Sequence, residues 1–521
     1  MSISQAYSAH LIGLTAEIVT VEVDISNGLH AFSVVGLGDR AVEEAKDRVS
    51  AAIKNTGYVS PKQKNQKVVI SLAPADVRKE GPSFDLAMAV AYLSAAGDLE
   101  FEYEGKLFQG ELSLEGNIRR VSGLLPILIQ AAAKGFTTAF VPKDNADEAS
   151  LARNIIVYAV SSLREVMDHL SRLRRLEPIE SRVMIVEEGS PRGHDMSLVR
   201  GNETAKRGLT IAAAGAHNIV FYGPPGTGKT MLAQSFISIL PPLSYEQSVE
   251  VTSIHSAARA LPSGLITRPP FRSPHHTASA ISILGGGTSP HPGEITLAHR
   301  GVLFMDEFPE FDRDVIDALR QPLEDRVITV ARVKGSVTFP AQCLLVASMN
   351  PCRCGKGKDN GCTCPPHILE AYRRRISAPI LDRIDLWVNV NKVDYEKLAA
   401  RSSTEESSAI IRARVASARA IQAERFSKRC AEENGNNDVF RKNPVGQKYF
   451  NSEMDAKDIE NLALLEDDAR KILRLSAERL KFSGRAFHRV IKVARTIADL
   501  AGSKNILKVH VLEALQYRRK E

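Results

Sequence analysis

The sequence has no run of 18 or more apolar residues, and its start, Met1-Ser2-Ile3-Ser4-Gln5, lacks a basic segment followed by an apolar core. These two absences argue against a membrane span and a secretion signal, so the expectation is a cytoplasmic protein with no membrane partner. Cysteine is scarce, six in 521 residues, too few for a disulfide scaffold at this length. Four of them crowd between Cys352 and Cys364, which asks for a metal reading rather than a redox one. No internal repeat and no long low-complexity tract is found. Charged residues make up 25% and hydrophobic ones 44%, a globular balance that excludes wholesale disorder and collagen-like or coiled-coil composition. At ~100–200 residues per domain the length predicts roughly three folding units. The 68 Lys and Arg against 61 Asp and Glu leave +7, a hint of a polyanionic partner that carries little weight as an average.

The pattern along the chain divides accordingly. Residues 1–170 alternate β-rich runs, Ile18-Val19-Thr20-Val21-Glu22-Val23 and Lys67-Val68-Val69-Ile70-Ser71-Leu72, with helical stretches at 39–54 and 85–96, which reads as an α+β domain. Residues 171–195 dissolve into charge, Pro, Gly and Ser, as a linker does. Residues 196–393 hold most of the recognisable chemistry, and residues 394–521 have helical periodicity, clearest at 469–480 and 485–500.

In the central domain an apolar strand, His217-Asn218-Ile219-Val220-Phe221-Tyr222, runs into Gly223-Pro224-Pro225-Gly226-Thr227-Gly228-Lys229-Thr230 and then a helical stretch. This is the phosphate-binding loop in its strand–loop–helix context. Its glycines let backbone N–H groups wrap phosphates, and the helix start adds positive potential. Lys229 is read as neutralising the β- and γ-phosphates of ATP and Thr230 as a ligand of Mg²⁺. A second apolar strand delivers Asp306-Glu307 at its end, where two adjacent acids are costly unless they face a cation or water. Asp306 is assigned to the Mg²⁺ shell and Glu307 to the base that polarises the attacking water. A third strand ends in Ser348-Met349-Asn350, where Asn350 either holds the lytic water, senses the γ-phosphate, or is a plain turn residue. Arg383, beside a further strand, can reach a neighbouring subunit's γ-phosphate or form a surface ion pair. Arg485, at the start of a C-terminal helix, can fold over the same phosphate.

With these residues the chain resembles the AAA+ ATPases of the magnesium-chelatase-like branch, specifically the bacterial YifB/ComM family. The resemblance rests on Arg272-Ser273-Pro274-His275-His276-Thr277, Gly285-Gly286-Gly287, Pro292-Gly293-Glu294-Ile295, Asp306-Glu307-Phe308-Pro309-Glu310-Phe311, Arg320-Gln321-Pro322-Leu323-Glu324-Asp325 and Ala494-Arg495-Thr496-Ile497-Ala498-Asp499-Leu500. It implies an α/β protein with a phosphate-loop AAA+ core and a C-terminal helical lid. It also implies a homohexameric ring in which Asn350 is the sensor-1 residue, Arg383 a trans arginine finger and Arg485 the sensor-2 arginine. For ComM-like members it further implies a DNA helicase driving branch migration in homologous recombination and natural transformation. A chelatase-type motor assisting metal insertion is the alternative. Related rings carry an insert, here about 256–294, and a pore hairpin turning at Val333-Lys334-Gly335, which would put Lys334 on DNA.

Residues Lys79-Glu80-Gly81-Pro82-Ser83 and the helix after them resemble the nucleophile segment of the Lon protease domain, a ribosomal-S5-domain-2-like fold. A Ser–Lys dyad needs a desolvated lysine within reach of the serine. The segment where Lon-like enzymes place it reads Ser122-Gly123-Leu124-Leu125-Pro126-Ile127, and Lys134 is off register. Protease activity is therefore not expected, and Ser83 is read as a turn or helix-capping residue.

After Asn350 come Cys352-Arg353-Cys354 and, seven residues on, Cys362-Thr363-Cys364. Four thiolates this close can close a tetrahedral Zn²⁺ site. An iron–sulfur cluster and unmetallated thiols are the alternatives, and zinc is favoured because no redox chemistry is otherwise visible. Lys356 and Lys358 make the loop tip cationic, either a DNA contact or a solvated loop.

Overall fold

The computed structural model of the protein describes residues 2–75, 79–181, 194–261, 264–287, 290–332, 335–357, 361–393, 405–434 and 448–519. The N-terminal part folds around a seven-stranded sheet. Its spatial order is Ala31–Val35, Gln66–Ala73, Thr15–Asn27, Ser2–Ile12, Lys106–Phe108, Thr138–Pro142 and Ile156–Val160. The alternation of Val19, Val21 and Val23 buries one face of the second strand. Against it lie the helix Arg40–Asn55, capped by Asp39 accepting from Val42 N at 2.9 Å, and the almost wholly buried helix Asp85–Ala95. Ser83 does not cap this second helix: Phe84 occupies the cap position without a side-chain hydrogen bond, and Ser83 lies in the turn before it.

The central sheet has five parallel strands in the order Phe271–Arg272, Val302–Met305, Leu344–Met349, Ile219–Tyr222 and Leu386–Asn389. The middle strands read as unbroken apolar runs because helices cover both faces. Phe271–Arg272 is this sheet's edge strand, so any insertion in the 256–294 stretch begins only after Arg272. The strand expected from His217 starts at Ile219, since the side chains of His217 and Asn218 anchor the sheet's entry instead. His217 Nδ1 lies 3.1 Å from Asp385 Oδ2 and its Nε2 lies 2.8 Å from Thr496 Oγ1.

The C-terminal helices Ser408–Asn434, Ala456–Leu462, Asp467–Arg479, Gly484–Leu500 and Lys508–Gln516 share one core with the helix Glu203–Gly215 and with Ile219, Phe221 and Val388 of the sheet. The N-terminal part meets the central one through the helix Tyr245–Ala257. Tyr245 donates to Leu151 O at 3.0 Å, Arg153 stacks 3.7 Å over the Tyr245 ring, and Ser256 donates to the buried Glu148.

Candidate functional site

Parallel register brings three strand ends to one edge of the central sheet. Tyr222 lies opposite Met349, and Met305 opposite Ala347. The loop after Tyr222, the acids after Met305 and Asn350 after Met349 therefore converge at the carboxyl edge, where open parallel sheets bind ligands. Gly223 has no alternative there: a Cβ would stand 2.1 Å from Val390 O of the adjoining strand's continuation. The helix Lys229–Phe236 follows Gly228, which sits at φ +87° and offers no side-chain cap, leaving the first amides for an anion.

Lys229 is buried, and its ammonium donates to Gly223 O at 2.6 Å, Pro224 O at 2.8 Å and Asn350 Oδ1 at 3.1 Å. Burial lowers its pKa below the usual lysine value, against the opposing pull of Asp306 and Glu307. Thr230 Oγ1 donates to Asp306 Oδ2 at 3.0 Å, so the two expected Mg²⁺ ligands are already adjacent. Asp306 Oδ1 accepts from Glu307 N at 3.0 Å and from the Ser348 hydroxyl. A hard cation seeks oxygen ligands such as this hydroxyl–carboxylate pair, so the residues fit Mg²⁺. Glu307 holds the left-handed conformation at φ +51°, uncommon for a residue with a Cβ and a form of strain that collects at functional sites. Its carboxylate is exposed, with Oε2 3.4 Å from His276 Nδ1. Neither Ser348 nor His276 is given a role by sequence reasoning. The only signals for them are one position two residues before Asn350 and the unusual His275-His276 pair.

Arg383 and Arg485 lie elsewhere. Arg383 precedes the strand Leu386–Asn389, and Ile219 pairs with Leu386, so Arg383 belongs to the amino edge. The four-residue strand, ~13 Å long, separates it from its own chain's phosphate loop. There Arg383 donates through Nη1 to Pro379 O at 2.6 Å and through Nη2 to Glu324. Arg485 Nη2 stands 3.8 Å from the other oxygen of the same Glu324 carboxylate. Arg489, one helical turn on, donates to Ile384 O at 3.3 Å and fixes the helix Gly484–Leu500 against this edge.

The four cysteines do converge: the sulfurs of Cys352, Cys354, Cys362 and Cys364 lie within 4.8 Å of one another. A tetrahedral Zn²⁺ with ~2.3 Å bonds to sulfur has edges of about 3.8 Å. The separations Cys352–Cys354, Cys354–Cys362 and Cys362–Cys352 are 3.2, 3.6 and 3.5 Å. The Lys356 N–H pulls the Cys354 thiol below its usual range, toward the thiolate form that a metal ligand needs. The knuckle presses on the nucleotide loop, for a Cβ on Gly355 would come within 3.0 Å of Pro225. Lys356 is exposed beside the sulfurs, whereas Lys358 and Lys334 fall outside the described residues. The strands flanking Lys334 do pair as a hairpin, Val327–Arg332 with Gly335–Pro340, and Val337 packs against the Gly13 turn of the N-terminal sheet. No protease dyad forms between Ser83 and Lys134, since Lys134 Nζ donates instead to Ala16 O at 3.3 Å.

Among the described residues no helix is long and apolar enough to cross a membrane. Three family models match the chain: "Subunit ChlI of Mg-chelatase" over residues 21–145, "Magnesium chelatase, subunit ChlI" over 195–398, and its C-terminal counterpart over 405–518. The chain is 38% identical to competence protein ComM of Haemophilus influenzae, across 99% of this chain and 98% of that protein. It is 39% identical to the uncharacterized protein YifB of Escherichia coli, across 99% and 97%. A shorter stretch, 18% of the chain, is 37% identical to the DNA repair protein RadA of Streptococcus pneumoniae, covering 21% of it. With a phosphate loop, a carboxyl-edge acid pair and end-to-end similarity of this extent, the chain belongs to the YifB/ComM family of magnesium-chelatase-like AAA+ ATPases.

Proposed function

We propose that this protein is one subunit of a homohexameric ATP-driven motor that moves DNA strands, a helicase for branch migration in recombination. One observation carries the ring: the phosphate loop and its acids occupy the carboxyl edge of the sheet, while Arg383 and Arg485 sit together at the opposite edge. A complete hydrolytic centre then needs the carboxyl edge of one subunit and the amino edge of the next. In it, Lys229 exchanges its carbonyl partners for phosphate oxygens. Thr230 and Asp306 would hold Mg²⁺, which neutralises phosphate charge. Glu307 takes the proton of the attacking water, oriented by His276 and Asn350, and the neighbour's Arg383 and Arg485 offset the charge that grows on the γ-phosphate.

DNA as the substrate is supported by similarity to a competence protein along nearly the whole chain and by the basic excess. These favour DNA over assisted metal insertion. Lys334, Lys356 and Lys358 are the proposed phosphate contacts, and six copies around one opening would concentrate a small charge per chain into a strong field. The four-cysteine knuckle is proposed to hold Zn²⁺.

The test is ATP hydrolysis with and without branched or single-stranded DNA, beside Holliday-junction migration. Several-fold stimulation that falls steeply with added salt is the expected result, with Lys229→Ala inactive in both assays. Hydrolysis indifferent to every DNA would refute a DNA motor while leaving the ATPase intact.

A further inference from the structure

Glu324 is not one of the residues that a nucleotide site needs, yet it is where three elements of this fold meet. It lies in the last turn of the helix Arg320–Asp325, and only Asp325 and Arg326 separate it from the hairpin strand Val327–Arg332. Arg326 is left-handed at φ +60°, a sharp connection with no spare length, and its carbonyl accepts from Ala341 N at 2.7 Å, closing the hairpin's base. Gln321 pins the same helix to the hairpin, accepting from Thr329 N at 3.1 Å and donating to Thr329 Oγ1 at 3.2 Å. On the other side Arg320 donates to Ser377 Oγ at 3.2 Å, at the start of the segment that ends in Arg383. Arg489 ties the Arg485 helix to that segment through Ile384 O and through Asp382 Oδ1 at 3.4 Å.

A guanidinium that pairs with a carboxylate is the same group that would pair with a phosphate, in the same planar geometry, so the two partners compete. The resting pairing is loose on the Arg485 side, whereas the Arg383 side chain is only 14% exposed. The side chains of Glu324 and Arg485 are 52% and 67% exposed, and exposed ion pairs hold weakly. Arg383 Nε is buried with no hydrogen-bond partner among the described residues, so the Glu324 arrangement leaves that arginine only partly satisfied. A triphosphate carries more charge than one carboxylate and so competes with it for both guanidiniums.

We propose that Glu324 is a positioning residue: the resting partner of both arginines, and the joint through which their capture by a neighbour's nucleotide is passed to the hairpin. This rests on the inter-subunit reading of Arg383 and Arg485. Nucleotide in the neighbour strips the arginines from Glu324 and frees the helix Arg320–Asp325, and the hairpin two residues away shifts with it. Conversely, a polymer that moves the hairpin pulls Glu324 off the arginines and makes them available. The two effects are one linkage seen from its two ends.

The experiment compares full-length wild type, Glu324→Gln, Glu324→Asp and Arg383→Ala as assembled proteins. It measures ATP turnover across ATP concentrations, with and without a forked DNA. The expected Glu324→Gln result is a several-fold higher rate without DNA, a lower half-saturating ATP concentration, and stimulation by DNA reduced toward one. Glu324→Asp retains the charge and restores most of the stimulation. Wild-type behaviour of Glu324→Gln would overturn the proposal by reducing the contact to a surface ion pair. Loss of turnover in Glu324→Gln matching Arg383→Ala would overturn it too, because the carboxylate would then hold the arginines ready rather than at rest. An Arg383→Ala protein with the wild-type rate is the separate result that removes the inter-subunit reading beneath it. The DNA-free rate tests the exchange even for a wild type that DNA does not stimulate.

Discussion

Glu307→Gln and Arg383→Ala are each expected to abolish turnover as pure proteins and to regain it when mixed. Glutamine keeps the size and the Asp306-bonded backbone of Glu307 but cannot take a proton, and general-base losses run to about 10²–10⁴-fold. Removing an arginine that meets the γ-phosphate costs about 10³-fold or more. The defects lie on opposite edges of the central sheet, so they fall on opposite sides of any one interface. In a freely exchanged equal mixture an interface is whole when an Arg383→Ala subunit supplies the loop and a Glu307→Gln subunit supplies the arginine. That combination arises at about one interface in four, ~25% of the wild-type rate if interfaces act independently. Native mass spectrometry would check that subunits had exchanged. Exchange with no recovery would mean that one chain furnishes both halves of its own site.

The same geometry separates what the sequence made readable from what it did not. Lys229, Thr230, Asp306 and Asn350 are legible because each follows a short apolar strand, and strands this apolar belong in the middle of a parallel sheet whose carboxyl ends share one edge. The sulfur cluster is legible as a candidate, two C-x-C pairs joined by a glycine-rich bridge that lets them fold back on each other, and the fold is what brings the sulfurs together. Edge assignment is another matter. Arg383 is only a few residues from a strand in the sequence, and which edge it occupies depends on the direction and register of that strand against Ile219–Tyr222. Glu324 is a single acid in a charged helix, with no spacing to single it out. Its partners come from positions 59 and 161 residues away, brought together by the packing of the Gly484–Leu500 helix on the sheet's entry. Ser348 and His276 fail for the same reason: a serine within an apolar strand and one of two adjacent histidines acquire meaning only through Asp306 and Glu307.

Removal of the proposed Zn²⁺ is expected to have the other large effect, and it should appear in the nucleotide site rather than only at the knuckle. The described ends of the loop that carries the sulfurs are held by local bonds, such as Gly357 N donating to Cys352 Sγ at 3.3 Å, and of the four cysteines only Cys352 is fully buried. A bound Zn²⁺ ties four sulfurs that lie within 4.8 Å of one another, and without it that cross-link between the two ends of the loop is lost. The loop begins two residues after Asn350, whose side chain receives the Lys229 ammonium at 3.1 Å, and Gly355 packs against Pro225 of the phosphate loop. Slackening the knuckle therefore displaces Asn350 and loosens Pro225 together. A misplacement near 1 Å at such a site costs about 10²-fold in rate. Elemental analysis of the purified protein should give one zinc per chain. Cys352→Ser or strong chelation should remove it, lower turnover about 10²-fold, and reduce the melting temperature by roughly 5–15 °C, most steeply in the absence of ATP. Iron with visible charge-transfer absorption would assign the sulfurs to a cluster instead. A metal-free preparation hydrolysing ATP at the full rate would make the four sulfurs irrelevant to the sensor beside them.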